Sequence, residues 1–91
     1  MGLKRYVIER EIPDIGASSQ QDLAGATATS NSALAQLAPR VQWEHSYVTA
    51  DKTFCVYLAE DEDAIRKHAE LSGFPATVIT EVKGIIDPTT D

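Results

Sequence analysis

The side chains best suited to chemistry are His45, Cys55 and His68, since two imidazoles and one thiol are all that the chain contains. Imidazole and thiolate suit the later first-row divalent metals, nickel among them, and Glu44 and Glu9 could add carboxylate oxygens. The spacing matches no zinc-finger pattern, so such ligands would have to converge through the fold or across a subunit interface. Each residue also has a plainer reading. A cysteine within a strand packs readily as a small buried hydrophobe. A histidine on the core stripe of a helix, as His68 is, is as consistent with a satisfied, half-buried side chain as with a ligand or proton carrier, and the same holds for His45.

Other chemistries find less support. A hydrolase nucleophile needs a strained elbow or a helix start, whereas Cys55 falls mid-strand and Ser46 sits beside His45 in a hairpin. The glycines at 2, 16, 25, 73 and 84 are scattered and form no phosphate-binding loop. Fourteen acidic against eight basic side chains give a formal charge of −6, which repels nucleic acid. Lys4-Arg5 and Arg66-Lys67 are too short to make a basic face. No apolar run is long enough for a bilayer and Met1 to Tyr6 lacks a signal-peptide core, so a cytoplasmic setting is expected, in keeping with an unpaired cysteine.

These groups must be positioned by one small domain, because 91 residues cannot support two cores. The alternation from Leu3 to Glu11 predicts a strand with Tyr6, Ile8 and Arg10 on one face and Arg5, Val7 and Glu9 on the other. Ser18 or Ser19 is a good N-cap for a helix. Its stripe runs through Leu23, Ala26, Thr27, Ser30, Leu34 and Leu37, and Pro39 ends it. Val41 to Thr49 and Thr53 to Leu58 are β-branched and aromatic and flank the polar turn Ala50-Asp51-Lys52, which predicts a hairpin. With Thr49 opposite Lys52, His45 lies opposite Val56 and shares a face with Trp43, Tyr47, Phe54 and Leu58, while Cys55 lies on the other face beside Glu44 and Ser46. The aromatic side chains read as core and interface packing rather than as a ligand pocket.

Glu60 to Asp63 place acids on the first turn of a second helix, followed by Ala64, Ile65, His68 and Ala69 at core spacing and closed by Gly73 and Pro75. A last strand runs from Ala76 to about Lys83, with Ile85-Ile86 able to extend it or add a short fifth strand. The order β-α-β-β-α-β, with the handedness rule for crossovers, predicts an α+β ferredoxin-like sandwich: a four-stranded antiparallel sheet with both helices on one face. Its other face would then be partly apolar, so a homodimer of the dimeric α+β barrel type is expected to cover it.

The segments Tyr6-Val7-Ile8-Glu9-Arg10, Trp43-Glu44-His45-Ser46-Tyr47-Val48, Asp51-Lys52-Thr53-Phe54-Cys55-Val56-Tyr57 and Ala64-Ile65-Arg66-Lys67-His68-Ala69 resemble a known family. It comprises small nickel-binding, nickel-responsive ferredoxin-like homodimers, long catalogued as a domain of unknown function. The resemblance covers the first strand and nearly all of Val41 to Pro88, and it implies Ni(II) held at the dimer surface, with a part in sequestering the metal rather than in catalysis. His45, His68, Cys55 and Glu44 are the metal ligands chosen within the family-like segments. The competing expectation is a small-molecule binding module or cofactor-free enzyme with a cavity between sheet and helices, in which His68 or His45 serves as general base.

Overall fold

The computed structural model describes residues 2–91. Its elements are β1 (Lys4–Glu11), a 3₁₀ turn at Ile15–Ala17, α1 (Gln20–Leu37), β2 (Val41–Val48), β3 (Lys52–Ala59), α2 (Glu62–Ser72) and β4 (Val78–Glu81). The strands pair antiparallel throughout in the order β2-β3-β1-β4, which is the expected βαββαβ arrangement. Period-two alternation aims Tyr6, Ile8 and Arg10 of β1, and Thr53, Cys55, Tyr57 and Ala59 of β3, toward the helices, and all seven are buried.

Both helices start on a capping side chain: Ser19 Oγ accepts from Asp22 N, and Asp61 Oδ1 from Ala64 N. Gly73, at φ 79°, ends α2 in the left-handed conformation that costs a glycine least. α1 buries Ser30, Ala33 and Leu37, so Ala33 joins the expected stripe while Thr27 stays exposed at its edge. α2 buries Ala64, Ile65 and His68 against the core of Tyr6, Ile8, Val41, Cys55 and Tyr57. Gly16 lies under the hairpin turn, where an added Cβ would stand 2.6 Å from Thr49 O. Only hydrogen fits that approach.

Two details of the expected hairpin need correction. His45 does pair with Val56 and Ser46 with Cys55, but the register shifts between Trp43 and His45, and Trp43 pairs with Tyr57. One extra residue at Glu44 makes a β-bulge, which reverses the faces on the far side of it. Trp43 therefore joins the helix-side core, stacked near Tyr57 with ring centroids 6.4 Å apart, and is not on the face of His45 and Tyr47. Trp43 Nε1 donates to Ser46 Oγ at 2.9 Å, a contact between residues three apart that regular pleating would keep on opposite faces. Glu44 is accordingly not beside Cys55. The last strand is also shorter than expected, ending at Glu81, and Ile85 and Ile86 are exposed rather than part of a fifth strand.

Candidate functional site

The helix-covered face holds a polar cluster built around Arg10, which the alternation of β1 carries into the core at 2% exposure. Its Nη1 donates to Pro75 O (2.7 Å) and Phe74 O (3.4 Å), in the turn after α2. Its Nη2 reaches Tyr57 OH at 3.5 Å and His68 Nδ1 at 3.4 Å. A guanidinium can only donate, so Nδ1 accepts and the His68 proton sits on Nε2, which donates to Ser30 Oγ at 3.1 Å. Burial above all, and then the Arg10 charge, lower the pKa of His68 to about 4, with the Ser30 hydrogen bond opposing in part. The imidazole is neutral at pH 7. Burial likewise raises the Tyr57 phenol, against the pull of Arg10, so it too stays neutral.

Beside this cluster lies a half-open cavity of about 480 Å³ between α1 and the sheet, within the size range of small-molecule sites. Leu23 and Ala26 of α1, Trp43 of β2 and Phe74 form much of its apolar wall, while Arg10, Ser30 and Tyr57 supply polar edges. Cys55 lines it too, with Sγ 3.5 Å from Thr53 Oγ1.

The four residues expected to bind metal fall into two separated pairs. Cys55 and His68 are buried under the helices, and both ring nitrogens of His68 are engaged within the fold. His45 and Glu44 are exposed on the opposite, open face of the sheet. His45 stacks edge-on against Tyr47 at 5.1 Å, and Glu44 forms a two-pronged pair with Arg5 (2.7 and 3.1 Å) that lowers its pKa, the hydrogen bond contributing most. Among the described residues no three His, Cys, Asp or Glu side chains stand close enough to hold a metal ion. One protomer by itself does not fit a metal. Neither histidine is placed as the expected general base in the cavity: His45 faces away from it, and the Nδ1 lone pair of His68 already accepts from Arg10 while Nε2 donates to Ser30.

Arg10 is the buried charge that consideration of metal ligands overlooked. Its signal was present in the pattern, since it shares the strand face of Tyr6 and Ile8, where a charge demands explanation.

The architecture defines a small ferredoxin-like α+β protein with an open sheet face on one side and a polar-edged cavity on the other. Among solved structures it is similar to the crystal structure of SCO4226 from Streptomyces coelicolor A3(2), with a TM-score of 0.76 and 15% identity over 90% of this chain and 99% of that one. At that identity the likeness establishes the fold. The family model for nickel responsive protein SCO4226-like matches residues 6–82, and the chain belongs to that family. No curated protein sequence matches it significantly.

Proposed function

We propose that this chain is a small Ni²⁺-binding protein that takes up the metal at its open sheet face, where two copies pair to complete the site. Membership in a family described as nickel responsive carries the reading. His45 supports the location, because it is the one exposed imidazole among the described residues and it stands on that face. With one exposed imidazole per chain and no complete donor set among the described residues, this reading requires ligands from a second copy. The apolar character of this face supports the pairing: Val7, Phe54, Val56 and Leu58 are only half covered, and Tyr47 is 62% exposed. Metal sequestration in the cytoplasm is the role that goes with such a site. Among the described residues no helix is long and apolar enough to cross a membrane.

Calorimetric titration of tag-free protein with Ni²⁺, run beside sedimentation velocity, tests the reading. Saturable micromolar binding by a dimer, weakened at least tenfold in His45→Ala, is expected. Absence of binding, or undiminished binding by His45→Ala, removes it.

A further inference from the structure

We infer that the cavity between α1 and the sheet binds a small apolar monocarboxylate, with Arg10 receiving the carboxylate. The inference is independent of the nickel reading and concerns the other face of the sheet. Its first support is charge. Arg10 is 2% exposed, yet no described carboxylate comes within salt-bridge distance of it. Its partners are two carbonyls, a phenol and an imidazole, all neutral, and its guanidinium also lies 5.9 Å from the Tyr57 ring centroid. A buried cation without a counter-ion carries a large desolvation cost, and an arriving anion would offset it. Nη1 and Nη2 already donate within the fold, so Arg10 attracts the carboxylate through its charge, and a neighbouring hydroxyl supplies the hydrogen bond.

The second support is the shape and chemistry of the space beside that charge. A cavity of about 480 Å³ is many times the volume of a water molecule, and its lining is mostly aliphatic and aromatic, with Thr27, Ser46 and Thr53 besides the Arg10 cluster. A ligand must therefore present one anionic end and an apolar body. The hydroxyls of Ser30 and Tyr57 border the same end. Each accepts a hydrogen bond from His68 or Arg10 and the two hydroxyls also pair with one another, which leaves one hydroxyl proton to donate. Trp43 and Tyr57 offer stacked aromatic surface to a flat or extended body. A phosphate or dianion fits poorly, because the surrounding wall is apolar and only one cation is present.

Trp43 is the only tryptophan and it lines the cavity, so its emission reports occupancy directly. The wild-type protein, in EDTA to keep metal out of the measurement, is titrated with 3-phenylpropanoate and decanoate and with the primary amide of each. Saturable change with at least one acid, and at least tenfold weaker binding of its amide, is expected. Since Arg10 also anchors the Phe74–Pro75 turn, its charge is probed through the ligand rather than by replacing it. Ala26→Phe and, separately, Thr27→Phe fill the cavity from α1 without touching the polar cluster. Each is expected to abolish the response while keeping the wild-type circular dichroism spectrum. The inference is overturned if neither acid gives a saturable change, if the amides bind as tightly as the acids, or if a folded cavity-filling variant binds as the wild type does.

Discussion

The two faces of this sheet are built from the same strands and each meets one histidine, His68 from α2 and His45 from β2, yet they treat it in opposite ways. On the helix-covered face, His68 is 1% exposed and both its nitrogens are hydrogen-bonded. Among the described residues no buried side-chain nitrogen or oxygen lacks a partner. On the open face, His45 is exposed and stands edge-on to another exposed ring, Tyr47. An imidazole completed by its own chain is a structural part, whereas one left incomplete is available to something outside the chain. The covered face follows the same logic at Arg10, where hydrogen bonds are satisfied but charge is not. The open face lacks coordination partners; the covered face lacks a counter-ion.

The largest expected difference between the faces is in stability. His68→Ala removes a fully buried ring, opens a void against Tyr57 and leaves Ser30 and Arg10 short of a partner, for a cost of about 2–4 kcal/mol. Urea unfolding followed by circular dichroism measures it. A cost below about 1 kcal/mol would mean that the cluster is not the organising feature described here.

A smaller contrast appears on acidification. His68 has a folded-state pKa of about 4, below its ordinary 6.5, so the folded protein binds fewer protons than the unfolded chain between those values. Its contribution to stability is therefore complete above pH 6.5 and is lost as the pH falls toward 4. A fall in Tm of roughly 5–10 °C over that window is expected in the wild type. His68→Gln, which keeps a donor and an acceptor but cannot titrate, should show a shallower fall. The carboxyls of Glu44, Glu81 and Asp87, held low chiefly by hydrogen bonds to Arg5, Lys83 and Thr89, are common to both proteins and cancel in the comparison. Parallel Tm curves for the two proteins would show that His68 is not the group responsible.

The side assignments on both faces were largely legible in the residues, His45 opposite Val56 included, and the irregularity at Glu44 was not. Alternation in β1 assigned Tyr6, Ile8 and Arg10 to one side, and Ser19, Gly73 and Pro39 marked helix limits, because local chemistry determines those features. The bulge at Glu44 depends instead on how β2 meets β3, and nothing in Trp43-Glu44-His45 alone reveals one extra residue. That single residue moved Trp43 into the cavity wall and Glu44 to the pair with Arg5, taking Glu44 from the expected side of Cys55 to the face of His45. The Arg10 cluster was half legible: its place on the face of Tyr6 and Ile8 followed from the pattern, whereas its neutral partners come from residues 47 to 65 positions away. Spacing in sequence carries no record of such distant meetings.

The smallest expected effect on folding separates the faces most cleanly. His45→Ala alters an exposed ring whose one aromatic neighbour, Tyr47, is itself mostly in water, so stability should stay within about 0.5 kcal/mol of wild type. The same substitution is expected to weaken Ni²⁺ binding, so function and stability part company at His45, whereas His68→Ala acts on stability. Urea unfolding of metal-free protein at a dilution that favours the monomer provides the measurement, because pairing at higher concentration would add its own mass-action term. A cost above 1 kcal/mol in that monomer would mean that the open face has an internal role for its histidine, and the division between a finished and an unfinished side of the sheet would not hold.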